Sequence, residues 1–323
     1  MKVIIAAAGT GGHINPGIAI ANKIKEKNKD AEITFIGTNR GLETDLVPRA
    51  GYNLFTIDAY GISRKITLQN IKNITNTIKS IKKTKNFMKK FKPDIVIGTG
   101  GYICGPAIMA ARSLKVPTIL HESNAFPGIA VKMFSNKVDA VLVGFEDAIK
   151  RIPKAKNIVL TGTPTKIKKL NLSNYEIQQI KQKLGFTNDL PLILVVGGSQ
   201  GAKSINNALI EIIINSFNKK SNYQIMWAAG PSQYEIIKQE LNKNKIDINN
   251  IENVKIVPYI YNMEEVINVA DIVIARSGAM TITEIAKVGK PAIFIPFPYA
   301  TENHQEYNAR VLEKRRSCKN NIR

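Results

Sequence analysis

The chain has 323 residues and a formal net charge of +21, from 46 lysines and arginines against 25 acidic residues. It is too long for one domain of usual size and suits two, each able to build a core from a hydrophobic content of 44%. The sequence has no run of about 18 apolar residues, which argues against a transmembrane helix. Its two cysteines have no CxxC partner, which argues against a metal site and for a reducing cytosol.

The excess of positive charge favours an anionic partner. Phosphorylated substrates, an acidic membrane surface and nucleic acid all fit it. The alternative is that the lysines only keep the chain soluble, and charge by itself does not separate these possibilities.

The chain opens with the pattern of a Rossmann-like unit. A buried strand over residues 3–7 is followed by a glycine loop at 9–13 and by a helix predicted over 18–27. The loop is not the dinucleotide fingerprint, because Ile14 occupies the position of the third glycine and the next strand, 32–37, is followed by no acid that could hold a ribose. A nicotinamide-dependent enzyme is therefore disfavoured.

The first glycine loop brings backbone N–H groups and the imidazole of His13 to the mouth of a cleft. Two roles are open for this histidine. It can be a general base that titrates near neutral pH, or a helix-capping or core residue. Its position inside a glycine loop favours the first role.

A long helix is predicted over residues 67–91. Between Arg64 and Lys92 the chain carries ten basic residues and no acid. An apolar stripe beside a dense basic face suits contact with a membrane surface, but a core-packed helix with a solvated lysine face fits the same pattern. The stripe consists of Ile71, Ile74, Ile78, Ile81 and Met88.

A second glycine loop, 98–102, follows a strand predicted at 93–97. A further strand at 118–120 leads into the polar run 121–128, in which Asn124 offers an amide donor and acceptor. Polar residues at the carboxyl ends of parallel strands lie where the ligand clefts of α/β proteins form. The other elements predicted in this half are helices at 41–50 and 105–113 and strands at 53–57, 138–143 and 158–160.

The second half repeats the strand–loop–helix series after a link at residues 162–166. A third glycine loop, 197–202, lies between a strand at 191–196 and a helix at 204–215. Ile260 follows a later strand, and this residue or a neighbour can offer a backbone contact to a flat base. The remaining predicted elements are strands at 224–228 and 254–257 and a helix at 234–244.

The stretch from residue 270 to residue 308 carries the densest chemistry. The pattern predicts a strand at 271–275, a turn at Ser277 and Gly278 and a helix at 280–288. In this arrangement, free N–H groups and the positive end of the helix dipole point to one place, which makes an anion site. Glu284 lies one turn into this helix, where its carboxylate can accept two ribose hydroxyls. The plain alternative is an ordinary strand–helix–strand unit, completed by a strand at 291–296.

Four such loops at matching places in two halves predict an α/β fold of two Rossmann-like, doubly wound domains with an interdomain cleft. No Asp-x-Asp sequence lies at a strand end, so a metal clamp is not indicated. Helix N-termini would then stabilise the charge of a leaving diphosphate.

These motifs resemble those of the MurG family, the peptidoglycan glycosyltransferases with the two-domain GT-B fold. The resemblance extends from residue 3 to about residue 312, and both the order and the spacing of the motifs fit. The motifs that carry it are Gly9-Thr10-Gly11-Gly12-His13, Gly98-Thr99-Gly100-Gly101-Tyr102, His121-Glu122-Ser123-Asn124, Gly197-Gly198-Ser199-Gln200-Gly201-Ala202, Arg276-Ser277-Gly278-Ala279-Met280-Thr281 with Glu284, and Pro296-Phe297-Pro298 through His304-Gln305.

The resemblance implies an inverting transfer of N-acetylglucosamine from UDP-GlcNAc to lipid I, which gives lipid II. It implies an acceptor- and membrane-facing domain over residues 1–161 and a UDP-GlcNAc-binding domain over 162–323. It further implies a peripheral protein on the cytoplasmic face of the cell membrane, with no cofactor, no metal and no nucleic-acid partner.

The resemblance also assigns residues. His13 is the candidate base or acceptor-positioning group, Glu284 would hold the ribose, Ile260 would face the uracil and Gln305 the sugar. The other residues expected to bind substrate are Thr10, Gly11, Gly12 and Asn124 in the first domain, Lys166 in the link, and Ser199, Gln200, Ser277, Gly278, Ala279, Met280 and Thr281 in the second domain.

Two departures from the family pattern stand out. The family link usually reads Gly-Asn-Pro-x-Arg, whereas residues 162–166 read Gly-Thr-Pro-Thr-Lys, so Lys166 keeps the charge but loses the bidentate fork. Family members also continue with further strand and helix after about residue 314, where this chain shows no core pattern. We therefore expect a second domain that is incomplete at its C-terminus, with weakened domain coupling and stability.

The sequence also fits two rival interpretations. One is another GT-B transferase with a different lipid or sugar acceptor, because acceptor loops carry little transferable chemistry. The other is a basic nucleic-acid-binding protein, although the sequence lacks interleaved aromatics, RNP-type runs and zinc-ligand spacing.

Overall fold

The computed structural model describes residues 1–60, 68–187, 190–216 and 221–314, with the backbone alone for 68–74. The chain folds as two compact units, Met1–Lys166 and Ile167–Arg323. The division lies five residues beyond the predicted boundary between 161 and 162, since Gly162 and Thr163 remain hydrogen-bonded to the first unit. The predicted absence of a core pattern after residue 314 concerns residues outside the described part of the chain.

A seven-stranded parallel sheet forms the centre of the first unit. Its strand order is β3-β2-β1-β4-β5-β6-β7, and the order reverses between β1 and β4. The connections after these two strands therefore run to opposite faces and leave a crevice at the carboxyl edge of the sheet. The strands are β1 (Lys2–Ala7), β2 (Glu32–Gly37), β3 (Asn53–Thr56), β4 (Ile95–Gly100), β5 (Thr118–Glu122), β6 (Ala140–Val143) and β7 (Ile158–Leu160).

Helices cover both faces of this sheet. The central strand β1 is apolar on both sides, so Val3 and Ile5 pack in one cluster with Ile14, while Ile4 packs in another with Ile108. The helices of the first unit are α1 (Gly11–Lys27), α2 (Glu43–Arg49), α3 (Leu68–Phe91), α4 (Cys104–Ser113) and α5 (Ile129–Phe134).

The second unit repeats this plan on a five-stranded parallel sheet with the order β10-β9-β8-β11-β12. The order reverses between β8 and β11, which places a second crevice at its carboxyl edge. The strands are β8 (Leu192–Val196), β9 (Gln224–Ala228), β10 (Val254–Val257), β11 (Ile272–Ala275) and β12 (Ala292–Phe294), and the helices are α6 (Asn174–Lys183), α7 (Lys203–Ser216), α8 (Pro231–Lys243), α9 (Met263–Val269), α10 (Ala279–Val288) and α11 (His304–Lys314).

All predicted strands are present, and four of them have the predicted bounds. The prediction that α1 begins at residue 18 was wrong, because the helix begins at Gly11 and includes Gly12 and His13 in its first turn. Pro16 is tolerated so near the N-terminus because it removes only the hydrogen bond to the Gly12 carbonyl. The four strands with the predicted bounds are β2, β7, β9 and β10.

Helices α5, α6, α9 and α11 were not predicted. Helix α6 lies in the polar segment after the link and begins with a capping box, in which the Ser173 hydroxyl accepts from the Glu176 N–H and the Glu176 carboxylate accepts from the Ser173 N–H. The three-residue spacing of Ser173 and Glu176 indicates the start of a helix, but the polar composition of the segment does not.

Helix α3 separates the residues of the predicted apolar stripe. Ile81 and Met88 pack on the core of the first unit, whereas Ile78 is 62% exposed. The side chains of Ile71 and Ile74 and the predicted start at residue 67 lie outside the described residues. Among the described residues, no helix combines the length and hydropathy needed to cross a membrane.

Candidate active site

The glycine loops of the first unit meet at the point where its strand order reverses. The first loop follows β1 and ends in α1, whose N-cap Thr10 makes no side-chain cap and whose first turn has no acid. The N–H groups of His13 and Ile14 both reach the Thr10 carbonyl. Gly11 and Gly12 therefore supply the N–H groups at the positive end of this helix, where an anion is stabilised.

The His13 ring is anchored to the backbone by a hydrogen bond at Nδ1. Its Nδ1 lies 3.0 Å from the Ala8 carbonyl oxygen, and this oxygen can only accept, so Nδ1 carries the proton. In the neutral ring Nε2 is then the basic nitrogen. Helix position and hydrogen bonding thus give the imidazole one tautomer and one orientation.

The second glycine loop packs on this ring. A Cβ added to Gly100 would lie 2.2 Å from the His13 Cδ2, and one added to Gly101, whose φ is +82°, would lie 2.9 Å from the Ala8 oxygen. The Thr99 hydroxyl donates to the His13 carbonyl at 2.8 Å. The loops after β1 and β4 therefore form one continuous backbone surface around the imidazole.

The turn after β5 is held by a buried carboxylate. Glu122 accepts from the Asn124 N–H at 2.8 Å, from the Asn124 side-chain amide at 3.0 Å and from the Gly128 N–H at 2.7 Å. Burial raises the pKa of Glu122, although these hydrogen bonds oppose the rise. The predicted site residue Asn124 thus has a fixed amide orientation.

His121 has a structural environment. It is 1% exposed, its Nε2 lies 3.3 Å from the Gly162 carbonyl, and Ser123 Oγ lies 3.4 Å from Nδ1. The first residues of the link are thereby attached to β5. Lys166, at the other end of the link, is exposed and its predicted contact to substrate stays a prediction.

The environment of His121 predicts a pH-dependent stability. Burial lowers the pKa of His121 to about 4, below that of the unfolded chain, so protons bind preferentially to the unfolded state. Stability is full above about pH 6.5 and falls as pH drops towards 4, by about 3 kcal/mol in total. Urea unfolding across this range should show the loss in the natural chain and a smaller loss in His121→Gln; parallel curves for the two proteins would contradict this account.

In the second unit, the loops after β8 and β11 are tied together by Arg276. This residue is 6% exposed, and its guanidinium donates to Ser204 Oγ at 2.7 Å and to the carbonyls of Ile295 and Pro296 at 3.0 and 2.9 Å. Burial lowers the pKa of Arg276. The N-terminus of α7 is thereby connected to the strand ends that support α10.

The loop 197–202 approaches its neighbours closely. Gly201 has a φ of +77°, and a Cβ there would lie 2.1 Å from the Ala229 carbonyl oxygen. Asn206 fixes this carbonyl by donating to it at 2.9 Å while its own oxygen accepts from the Trp227 indole at 3.0 Å. The predicted residues Ser199 and Gln200 lie on the turn, partly exposed and exposed respectively.

Helix α10, beside that loop, has an N-terminus without a side-chain cap. Its N-cap is Gly278, which has no side chain to cap it, and its first turn contains no acid. Ala279 and Met280 are each 6% exposed and therefore offer N–H groups rather than side chains, whereas Thr281 is partly exposed. Glu284 lies partly exposed one turn further along the same helix.

Two of the predicted residues are engaged within the protein. The Ser277 hydroxyl is buried and donates to the Gln305 carbonyl at 2.8 Å, and the Gln305 side-chain oxygen accepts from the Phe297 N–H at 2.9 Å. Asn308, fully buried, donates to the Ser277 carbonyl. Ser277 thus positions α11, and the predicted contact of Gln305 to the sugar, which stays a prediction, would come from its side-chain NH₂ group.

Ile260 lies after β10, as predicted, and its side chain is 5% exposed. A contact from this residue to a base would come from its backbone.

Several supporting residues were missed from the sequence. Glu43, Arg276 and Asn308 are buried polar groups, and each has a partner 31 or more residues away, so no local pattern indicates their supporting roles. Arg40 contacts Tyr60 and Tyr102, which joins the loops after β2 and β4. Within the described residues, no three histidine, cysteine, aspartate or glutamate side chains converge as a metal site would require.

Comparison with known proteins gives a consistent picture over nearly the whole chain. The glycosyltransferase family 28 N-terminal domain matches residues 3–143, and the family 28 C-terminal domain matches residues 192–321. The UDP-N-acetylglucosamine–N-acetylmuramyl-(pentapeptide) pyrophosphoryl-undecaprenol N-acetylglucosamine transferase of Thermoanaerobacter sp. (strain X514) is 45% identical over 97% of this chain and 84% of its own length. The protein of the same name from Clostridioides difficile (strain 630) is 42% identical over 97% of this chain and 75% of its own length.

Solved structures agree with the fold. The crystal structure of Acinetobacter baumannii MurG has a TM-score of 0.68 at 28% identity and covers 97% of this chain and 83% of its own. The UDP-GlcNAc 2-epimerase of Neisseria meningitidis, bound to UDP-GlcNAc, has a TM-score of 0.61 at 14% identity, over 98% of this chain and 93% of its own, which is a likeness of fold alone.

Proposed function

The chain belongs to the MurG family within glycosyltransferase family 28, and from this membership we propose that it transfers N-acetylglucosamine from UDP-GlcNAc to the muramyl sugar of lipid I, giving lipid II. It is a hexosyltransferase of peptidoglycan synthesis with the GT-B fold. The observation that carries this assignment is the 45% identity to a curated transferase over 97% of the chain.

The second unit is the proposed donor site. The N-termini of α7 and α10 lie side by side at the carboxyl edge of its sheet, and neither has an acid in its first turn. A diphosphate there would receive backbone N–H groups and two positive helix ends as negative charge develops on the departing UDP. One well-placed donor of this kind lowers a barrier by about 3–4 kcal/mol.

The first unit is the proposed acceptor site. His13 Nε2 is the basic nitrogen of a ring that the Ala8 carbonyl and the second glycine loop hold in place. It would accept the proton of the attacking hydroxyl while that oxygen displaces UDP from the anomeric carbon. A single displacement of this kind inverts the anomeric configuration.

Product analysis tests the proposed function. We expect mass spectrometry to show one added N-acetylhexosamine on a soluble lipid I analogue incubated with UDP-GlcNAc, and NMR to show a β-linkage from the α-linked donor. Equal transfer to unrelated lipid or sugar acceptors would instead support a GT-B enzyme with a different acceptor. Tight RNA binding at physiological salt, unaffected by UDP-GlcNAc, would support the nucleic-acid alternative.

We also propose that the enzyme works as a peripheral protein at the cytoplasmic face of the membrane, with α3 as a contact surface. Ile78 is 62% exposed, and Lys82, Lys85 and Lys89 follow it by four, seven and eleven residues, which places all four on one face of the helix. An exposed apolar side chain among lysines suits an anionic lipid surface.

Neutralising this face should weaken membrane binding. Near an anionic surface each lysine contributes about 1 kcal/mol of binding free energy. The triple variant Lys82→Gln/Lys85→Gln/Lys89→Gln should therefore bind phosphatidylglycerol vesicles more than tenfold more weakly in a sedimentation assay. The matched control neutralises three exposed lysines of the second unit, Lys183, Lys243 and Lys287, and should bind like the natural chain. Equal weakening in both variants would mean that net charge, and not α3, governs binding.

A further inference from the structure

Glu43 is a fully buried carboxylate that the proposed mechanism does not yet use. It is the first residue of α2 and is 0% exposed. Its Oε1 accepts from the Thr38 N–H at 2.9 Å and from the Thr38 hydroxyl at 2.6 Å, and its Oε2 accepts from the Gly9 N–H at 2.9 Å. Both oxygens therefore face the loops after β1 and β2.

The surrounding backbone accommodates this carboxylate as a charged group. Burial alone would raise the pKa of Glu43, but the hydrogen bonds from Thr38 and Gly9 outweigh it and hold the pKa below the ordinary value. No salt bridge among the described residues involves it. Gly37 and Gly41 leave room for it, since a Cβ on Gly41 would lie 2.1 Å from its Oε2 and one on Gly37 would lie 2.8 Å from its Cγ.

Such a group is costly for stability. A buried charge without a cationic partner disfavours folding unless its hydrogen bonds compensate, and an apolar side chain would pack in the same space at lower cost. The carboxylate therefore calls for a role that only a charged acceptor can fill.

The role follows from one peptide unit. The N–H of Gly9 and the C=O of Ala8 belong to the same peptide, which is trans and planar, so they point in opposite directions. Glu43 binds the N–H end at 2.9 Å, and His13 Nδ1–H binds the C=O end at 3.0 Å. Carboxylate, peptide and imidazole thus form one chain of hydrogen bonds.

We propose that Glu43 is a positioning residue for His13, acting through the Ala8–Gly9 peptide. The carboxylate fixes the orientation of this peptide and polarises it, which makes the Ala8 oxygen a stronger acceptor for Nδ1–H. The proton is thereby held on Nδ1 and the lone pair on Nε2. The arrangement has the same function as a carboxylate that is hydrogen-bonded directly to an imidazole, except that one peptide group lies between the two side chains. The inference rests on the proposed role of His13 as the group that receives the acceptor proton.

Apart from Glu43 and His13, no titratable side chain among the described residues is hydrogen-bonded to this peptide. Cys104 lies beneath the second glycine loop with Sγ 3.3 Å from the Gly100 carbonyl, and burial raises its pKa to about 12. Tyr102 is the last residue of the same loop and contacts Arg40. Within the described part of the chain, Glu43 is the one hydrogen-bond partner of the Gly9 N–H.

The variant Glu43→Gln tests the proposal because it keeps the shape and removes the charge. Its amide can accept at one position only, so its NH₂ group faces either the Gly9 N–H or the Thr38 donors. We expect kcat to fall about 10- to 100-fold with the KM for UDP-GlcNAc unchanged, and the acidic limb of the pH–kcat profile to move. The protein has three histidines, so ¹⁵N NMR can resolve their rings. The His13 ring should shift from the Nδ1–H towards the Nε2–H tautomer.

Thr38→Val is the matched control. It removes the 2.6 Å hydroxyl bond from the same carboxylate but keeps the charge and the Gly9 contact. It should lose stability with little change in the His13 tautomer or in the pH profile. If both variants change activity only in proportion to stability and leave the tautomer unchanged, Glu43 is a structural residue and the proposal is overturned.

Gly41→Ala decides the matter if Glu43→Gln does not fold. Its added methyl group would displace Glu43 Oε2 from the Gly9 N–H without altering any charge, and Gly41 does not have a positive φ. The same tautomer shift is expected, and its absence would contradict the proposal. The NMR result is independent of catalysis. A chain that fails to transfer GlcNAc would therefore count against the proposed function, but the effect of Glu43 on the His13 tautomer could still be tested.

Discussion

Replacing His13 with asparagine is expected to lower kcat about 10²- to 10⁴-fold with little change in the affinity for UDP. The asparagine amide nitrogen can take the place of Nδ1 and donate to the Ala8 carbonyl, so the loop geometry is retained. What the variant lacks is the basic nitrogen at the Nε2 position. Steady-state kinetics at saturating UDP-GlcNAc measure the effect.

The matched control for this prediction is His13→Gln, which can place an amide near the Nε2 position and cannot bond to Ala8 in the same way. Both variants should be equally inactive if proton transfer is the function of His13. Near-natural activity in His13→Asn would show that the histidine holds the loop and that another group accepts the proton.

Replacing Glu284 with alanine is expected to weaken UDP binding about 30- to 700-fold. Two hydrogen bonds from ribose hydroxyls to a carboxylate contribute about 2–4 kcal/mol together, and a methyl group forms neither. Glu284 lies one turn into α10, close enough to the proposed diphosphate position for one nucleotide to reach both. Titration calorimetry with UDP measures the loss.

A comparison of UDP with 2′-deoxy-UDP makes this test specific. The natural chain should bind the deoxy compound more weakly than UDP, whereas Glu284→Ala should no longer distinguish them. Glu235→Ala, which removes an exposed acid of α8 in the same unit, is the charge-matched control and should behave like the natural chain. Retained discrimination in Glu284→Ala would place the ribose elsewhere.

The sheets were predictable because their central strands are buried on both faces. Strand β1 reads as an uninterrupted apolar run, and the glycines that follow it and β8 mark the turns into helices. Parallel strands then bring these loops to one edge of each sheet, which is why the approximate site could be located from sequence.

Helix boundaries and the supporting polar groups were not predictable in this way. The start of α1 was missed because glycines and a proline usually mark a loop, and here they form the first turns of the helix. Glu43 accepts from Gly9, 34 residues away, and Arg276 donates to Ser204, 72 residues away, so their function depends on the fold. Ile78 fitted an apolar stripe by spacing, yet it lies on the lysine face.

The most direct test of the central claim is UDP release from UDP-GlcNAc in EDTA, with and without a soluble lipid I analogue. We expect release that depends on the acceptor, persists without metal and disappears in His13→Asn. Release that ignores the acceptor, or that requires added divalent metal, would contradict it.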